Sequence, residues 1–292
     1  LDSLSNPFAD INQNTGYITI AKDFGIINGV GNNLFKPYDN AKREEAAAMM
    51  MRMYDKLNAP IDMRHGFYAI RSSHQAEMIK SLNSVGFGWS RLEYDSENKQ
   101  VMLNTTRRNN NEYAIPAGFS KPLNIAQQNS IDAMLMIFAK NDTVFINDTK
   151  DNIPLVEYVI SRPEIREEVI KSIVDQINTT ISEGISVAFE GVVMDFEELR
   201  GESLKQYYNE FLSELKIELD KSDKKLYVAV HPARKPDQAY YDGYDYKTIG
   251  DIADKVILMA HDYYAKQLTD AEMEMGYTIT PLAPIDEIYW AL

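Results

Sequence analysis

From residue 65 to the end of the chain, short apolar runs alternate with amphipathic helical segments, and this alternation predicts a parallel sheet joined by crossover helices. The run at 133–139 is apolar throughout, as expected of a strand buried on both faces. A helix predicted to start near Ser161 carries β-branched residues at helical spacing, namely Ile165, Val169, Ile173, Ile177 and Ile181. The sequence therefore predicts an α/β fold over residues 62–292.

Six strands are predicted in this region, at 66–70, 84–90, 133–139, 191–197, 226–232 and 255–262. A closed (β/α)8 barrel, or TIM barrel, needs eight. We therefore expect a TIM barrel that is truncated after about six β/α units, with residues 284–292 beginning the sixth helix. A polar stretch at 107–111 is interpreted as a turn without an assigned function.

The fourth predicted strand combines apolar residues with two carboxylates, Asp195 and Glu197. Side chains two apart on a strand share a face, with Cα atoms about 6.6 Å apart, so both acids lie on the face of Val193. Acids after an apolar strand are also common at helix N-termini, where they favour the helix dipole. For this strand alone that alternative stays open. In a barrel, however, the carboxyl end of a strand is where catalytic residues lie.

Residues 1–58 predict a small all-α module with two helices. The first covers 17–24, and a loop rich in glycine and asparagine follows at 25–33. The second helix is predicted over 41–57, with Asn40 as its N-cap, and Pro60 lies just beyond its end.

The order of short motifs in this module, FAD, YI, GIING, FKP and REEA, resembles one S-layer homology repeat. Such repeats anchor bacterial surface proteins to polymers attached to peptidoglycan. The resemblance therefore implies a secreted protein at the bacterial cell surface, with a secondary cell-wall polymer as partner. Arg43 matches the family residue that meets the anionic polymer, and a guanidinium can bind such groups in bidentate fashion. The alternative is a solvated first-turn arginine.

Composition excludes some classes of partner. The formal net charge of −14 and the sequence pI of about 4.8 argue against nucleic acid or an anionic membrane surface as the main partner. The chain has no cysteine, which rules out disulfides and thiolate metal sites. No apolar run approaches the length of a membrane span. The sequence starts without a methionine or a signal peptide, so we expect a mature or excised segment.

Two segments resemble family 18 glycoside hydrolases. The sequence GVVMDFE at 191–197 resembles the fourth-strand signature Asp-Gly-x-Asp-x-Asp-x-Glu, and MAHD at 259–262 resembles the sixth-strand Met-x-Tyr-Asp. The bacterial branch that acts on spore cortex or peptidoglycan is the most similar. The resemblance implies retaining hydrolysis of a β-linked N-acetylhexosamine polymer, in which the substrate's acetamido oxygen is the nucleophile.

The resemblance also implies roles for individual residues. Glu197 would be the acid and base, Asp195 would orient the acetamido group, and Asp262 would add a hydrogen bond. Two acids this close push their pKa values apart, which would help to keep Glu197 protonated. Met259 and His261 would line the sugar site.

The chain departs from the family at Glu190 and Val193, which stand where the first and middle Asp are usual, and at His261, which replaces a Tyr. Loss of the middle Asp predicts slower turnover or a shifted pH optimum.

Aromatic and histidine residues give weaker predictions. Tyr68, Trp89 and Tyr263 are candidates for stacking on sugar rings, although core packing is the commoner role of such residues in a barrel. His65 and His231 are candidates for the mouth of the site. The four His residues lack metal-ligand spacing, so no metal is expected, and no cofactor is expected.

Three functional hypotheses remain open from the sequence. The first is an N-acetylglucosaminidase that acts on peptidoglycan at the cell surface, which the wall-anchor-like repeat favours. The second is a non-catalytic, lectin-like wall protein, which the departures at Val193 and His261 favour and the retained Glu197 opposes. The third is a chitinase or an enzyme that acts on host N-glycans.

Overall fold

The computed structural model describes residues 4–182, 184–236, 238, 240–263, 268, 270–274, 276 and 282–292. It divides the chain into two compact units, Leu1–Asp62 and Met63–Leu292.

The first unit contains the helices α1 (Thr15–Asp23) and α2 (Arg43–Leu57). The prediction that Asn40 caps the second helix is wrong. The helix begins later because the Glu45 carboxylate accepts the backbone N–H of Lys42 at 2.7 Å, which places the N-cap at Lys42. A small core of Phe8, Ile11 and Ile27 holds the unit together.

The second unit contains most of the secondary structure. Its described strands are β1 (His65–Tyr68), β2 (Ser84–Asp95), β3 (Gln100–Asn104), β4 (Asp132–Lys140), β5 (Thr143–Ile146), β6 (Asp151–Pro154), β7 (Thr180–Ser182), β8 (Ile185–Val187), β9 (Gly191–Glu197), β10 (Lys225–Val230) and β11 (Lys255–Leu258). Its described α-helices are α3 (Ser120–Gln128), α4 (Leu155–Ile160), α5 (Pro163–Thr179), α6 (Glu202–Asp220), α7 (Tyr246–Ile252), α8 (Asp270–Glu274) and α9 (Ile285–Ala291). The segment Ile70–Ser81 forms a 3₁₀ helix.

The main sheet confirms the predicted α/β barrel architecture. Its strands follow the order β1-β2-β4-β9-β10-β11, every neighbouring pair is parallel, and the sheet curls into a half-barrel. These are the six strands predicted from the sequence. The structure adds β3, which pairs antiparallel with β2, and the two hairpins β5–β6 and β7–β8.

The two faces of the sheet carry different residues. On β9, Val192, Met194 and Phe196 pack into the large core against the helices. Val193 lies on the opposite, inner face, in a second apolar cluster. The predicted helical stripes supply the other side of the large core, because α5 buries Val169, Ile173 and Ile177 and α6 buries Leu204, Tyr208, Phe211, Leu215 and Leu219.

Gly191 opens the fourth parallel strand where two backbones approach closely. A Cβ at this position would overlap the carbonyl oxygen of Lys225 and lie 2.7 Å from its nitrogen. The pairing of β9 with β10 therefore requires glycine at the first residue of the signature.

Candidate active site

The two carboxylates of β9 lie at the carboxyl end of the parallel sheet, on its inner face. Asp195 is 8% exposed, and its Oδ1 is buried without a hydrogen-bond partner among the described residues. Glu197, two residues further on, is half-buried. On the neighbouring strand, Phe138 is in register with Asp195 and Lys140 with Glu197.

Burial raises the pKa of both acids. The pKa of Asp195 rises to about 7, chiefly because the side chain is desolvated and secondly because of the negative charge of Glu197. The pKa of Glu197 is also raised, first by burial and then by the charge of Glu198, while Lys140 and His261 oppose this rise. Both acids therefore hold protons at a higher pH than free carboxyls, and Glu197 is suited to donate one.

A cluster of polar and aromatic side chains lies around Glu198, the residue that follows Glu197. Glu198 has a left-handed backbone, with φ of 64°, and its carboxylate accepts a hydrogen bond from the Tyr241 hydroxyl at 3.1 Å. Lys140 Nζ lies 3.3 Å from the same carboxylate. The Tyr241 ring packs against His231, just beyond β10, with ring centroids 4.5 Å apart and an interplanar angle of 40°. Burial lowers the pKa of His231, which favours a neutral ring.

The sixth-strand motif follows the end of β11. Met259 is half-buried and donates its backbone N–H to Val230 O at 3.0 Å. His261 and Asp262 are exposed, and His261 Nδ1 lies 3.1 Å from Asp262 Oδ2. His261 makes a small contribution that lowers the pKa of Glu197, in opposition to the effect of burial.

Two predicted sugar-stacking residues lie elsewhere. Tyr68 and Trp89 are 8% and 2% exposed, and both pack in the large core on the helix side of the sheet. They do not line the inner face, so we do not retain the sugar-stacking role predicted for them. Tyr263 is 7% exposed, and the Arg234 guanidinium covers its ring at 4.2 Å from the centroid.

His65 also lies away from the mouth. It begins β1, at the amino end of the sheet, where its Nδ1 is 2.6 Å from Ser84 Oγ and its ring packs edge-on against Tyr227. Burial lowers its pKa to about 4. The prediction that His65 lines the mouth of the site is therefore wrong, whereas His231 lies at the carboxyl end.

Where the family signature has its middle Asp, this chain has Val193, and its neighbours in the structure are apolar as well. Val193 is fully buried and clusters with Met134, Met136 and Tyr227 on the inner face. No carboxylate from this position accompanies Asp195, which is consistent with the unpartnered Oδ1.

Sequence reasoning missed one aromatic side chain at the site. Tyr113 stacks on Phe138 with ring centroids 4.4 Å apart and an interplanar angle of 17°. Phe138 and Lys140 could have been recognised from the alternation along β4, which places them on the face of Met136. Tyr113 could not, because it lies in a loop without a motif.

Arg43 lies exposed at the first residue of α2. The first unit also contains a cavity of about 640 Å³, whose charged lining residues are Lys36, Asp39, Lys42, Glu45 and Arg52. Arg43 is not one of the residues that line it, so the polymer contact predicted for Arg43 would be made at the surface beside this cavity.

Comparison with protein families matches residues 154–287 to the glycosyl hydrolases of family 18 and residues 7–47 to the S-layer homology domain. Residues 154–287 are therefore similar to the family 18 glycosyl hydrolases, over slightly less than half of the chain. Its signature strand β9 falls inside the matched range, and the S-layer homology match covers α1 and the start of α2. The S-layer homology domain indicates association with the cell surface.

Individual proteins resemble this chain over part of their own length. A protein of Bacillus subtilis (strain 168) named as a sporulation-specific glycosylase, YdhD, is 30% identical over 135 residues, which is 46% of this chain and 28% of that protein. The spore cortex-lytic enzyme SleL of Bacillus cereus has the same fold, with a TM-score of 0.51 and 20% identity over 77% of this chain and 46% of that one. A class V chitinase from Pseudomonas fluorescens Pf-5 also has this fold, with a TM-score of 0.51 and 19% identity over 77% of this chain and 61% of that one. The chain thus spans less than two thirds of each of these relatives.

None of the helices that the structure describes combines the length and the hydrophobicity needed to cross a lipid bilayer.

Proposed function

We propose that this protein hydrolyses β-linked N-acetylhexosamine glycans with retention of configuration, and that peptidoglycan at the bacterial cell surface is its substrate. The observation that carries the proposal is the pair Asp195 and Glu197 at the carboxyl end of a family 18-like half-barrel, where Asp195 is buried, Glu197 is half-buried and both pKa values are raised. The S-layer homology domain supports a wall polymer over a soluble glycan, and the sporulation and spore-cortex names of two relatives agree with it.

In the proposed reaction the acetamido oxygen of the substrate attacks the anomeric carbon, and Glu197 donates its proton to the departing glycosidic oxygen. This step gives a bicyclic oxazolinium ion. Such substrate-assisted hydrolysis is an exception to the usual two-carboxylate mechanism. Glu197, now a carboxylate, then takes a proton from the water that opens the ring. Its raised pKa supports the first step, because a half-buried acid retains its proton closer to neutral pH.

Asp195 would hold the acetamido group during this reaction. Its unpartnered Oδ1 is an acceptor that the substrate N–H can use, and this contact strengthens as positive charge develops on the nitrogen. Protonation near pH 7 would weaken that contact, so we expect activity to depend on the ionisation of both acids.

The rim of the site would be completed from β11. We propose that Met259 supplies an apolar wall and that Asp262 acts through the imidazole of His261, to which it is hydrogen-bonded. Tyr263 would support this segment through its contact with Arg234 rather than stack on a sugar. Arg43 would bind a carboxylate or phosphate of the secondary cell-wall polymer, and secretion to the surface is part of the proposal.

The test is hydrolysis of purified Gram-positive peptidoglycan and of chitin oligosaccharides by the protein and by its Glu197→Gln variant. Mass spectrometry identifies the new reducing ends. We expect N-acetylglucosamine ends from peptidoglycan that the variant does not produce. Release from chitin oligosaccharides alone would turn the assignment to a chitinase. Binding without release by either protein would favour a lectin-like protein, to which the apolar surroundings of Val193 already point.

A further inference from the structure

The loop that carries Tyr113 is fixed before any ligand arrives. The Asn111 side chain is 3% exposed, and its Oδ1 accepts the backbone N–H of Tyr113 at 2.9 Å. Its Nδ2 donates to the carbonyl oxygens of Asn104 and Thr106, at 2.8 and 3.1 Å. A buried asparagine with these contacts ties the loop to the end of β3, so Tyr113 has a defined position.

Further polar contacts hold the loop from its other side. Asn104 Nδ2 donates to Glu93 Oε1 at 3.0 Å and to the carbonyl oxygen of Arg108 at 2.9 Å. Arg108 in turn forms an ion pair of 2.9 Å with the buried Asp95. The β2–β3 hairpin therefore supports the loop as a rigid platform.

The ring of Tyr113 reaches the inner face beside the acid pair. It stacks on Phe138, whose strand position is in register with Asp195. Gly88 lies beside the Tyr113 ring, since a Cβ there would be 3.9 Å from Tyr113 Cδ1 and 3.6 Å from Met136 Cε. The two rings thus form an aromatic wall next to Asp195.

The hydroxyl of Tyr113 is a hydrogen-bond donor throughout the physiological pH range. Burial, with smaller contributions from the charges of Glu112, Glu197 and Asp195, raises its pKa to about 12. The half-buried phenol consequently remains protonated. The neighbouring acids, once ionised, can only accept hydrogen bonds, whereas the phenol can still donate one. A ligand oxygen beside Asp195 would find here a neutral donor on a rigid ring.

We propose that Tyr113 is a substrate-contacting residue of this site, whose ring and hydroxyl hold the N-acetylated sugar that lies against Asp195. The ring offers its exposed part to the pyranose, and the hydroxyl donates to a carbonyl or hydroxyl oxygen of that sugar. This inference rests on the proposed glycosidase function, because it assigns a contact within the same site.

The experiment compares Tyr113→Phe, Tyr113→Ala and a matched control, Tyr207→Phe, in the full chain. Tyr207 lies on α6 and packs on the helix side of the sheet. The readouts are kcat and KM on peptidoglycan glycan strands, and the Kd for triacetylchitotriose from isothermal titration. Loss of one neutral hydrogen bond predicts a fall of about three- to tenfold in kcat/KM for Tyr113→Phe. Tyr113→Ala, which also loses the ring, should fall further, and Tyr207→Phe should match the parent.

Equal kcat/KM and equal Kd for Tyr113→Phe and the parent would overturn the hydroxyl contact, and equal values for Tyr113→Ala would overturn the ring contact as well. Because Tyr113→Phe keeps the stack on Phe138, a loss in this variant is separable from misfolding, which Tyr113→Ala alone would not be. If the parent binds triacetylchitotriose but cleaves neither this ligand nor peptidoglycan strands, the glycosidase proposal fails while the Kd series still tests Tyr113. A parent that neither binds nor cleaves overturns both proposals.

Discussion

Replacing the buried Asp195 by Asn is expected to stabilise the second unit at neutral and alkaline pH while removing an acid of the proposed active site. Asp195 is 8% exposed, and its Oδ1 has no hydrogen-bond partner among the described residues. Ionising such a carboxyl is costly because water is replaced by apolar neighbours. Asn keeps the shape of the side chain but carries no charge at any pH.

The magnitude follows from the pKa of Asp195. The folded value of about 7 exceeds the ordinary value of 3.8 by about 3 units, and at about 1.4 kcal/mol per unit this amounts to about 4 kcal/mol. Between these two values the folded protein retains a proton that the unfolded chain has released. The free energy of unfolding of the parent therefore falls as pH rises through this window, and the full cost is present above pH 7.

The assay is urea unfolding of parent and Asp195→Asn between pH 4 and 8, followed by tryptophan fluorescence. Both tryptophans, Trp89 and Trp290, belong to the second unit, so the signal reports that unit alone. We expect the stability difference between variant and parent to grow by up to about 4 kcal/mol from pH 4 to pH 8. An Asp175→Asn exchange on the exposed side of α5 is the matched control for the change in charge.

Any cost of burying the new amide group is independent of pH, so it changes the stability difference between variant and parent by the same amount at every pH. The decisive quantity is therefore the slope of the stability difference with pH. A flat difference across this range, or one that matches the Asp175→Asn control, would refute the argument that burial raises the pKa of Asp195.

Two further predictions concern the same strand and its neighbours. Lys140→Met should move the alkaline limb of the kcat/KM profile to higher pH, because the ammonium holds the pKa of Glu197 down; an unmoved limb would show that another group sets it. Gly191→Ala should abolish folding of the second unit or sharply lower its Tm, because the new methyl group would overlap the Lys225 backbone. The control Gly250→Ala, in α7 with no atom within 4 Å, should leave Tm unchanged or raise it slightly.

The parallel strands and the acid pair could be predicted because both follow from local periodicity. Apolar runs of strand length, separated by helical stripes, indicate β/α units without knowledge of tertiary contacts. The two-residue period then places Asp195 and Glu197 on the face of Val193, and the structure keeps them there. Such features depend on neighbours along the chain.

The missed features depend on contacts that are distant in sequence. The sequence predicts only a turn without an assigned function at 107–111, yet Asn111 is buried and fixes the position of Tyr113. Trp89 packs with Val85 and Phe87 in the large core on the helix side of the sheet. Strand alternation places these three side chains on one face, but it does not reveal which face meets the helices, because that depends on packing between distant parts of the chain.

The sequential strand order has a consequence for how the protein forms during synthesis. Each parallel strand pairs with the one that precedes it in the sheet, so a nascent chain can add strands to a growing edge in the order in which they leave the ribosome. β9 has only one neighbour in the sheet until Lys225–Val230 has emerged and paired. The desolvation that raises the pKa of Asp195 is thus acquired late, and the nascent sheet is spared a buried charge while it is still incomplete.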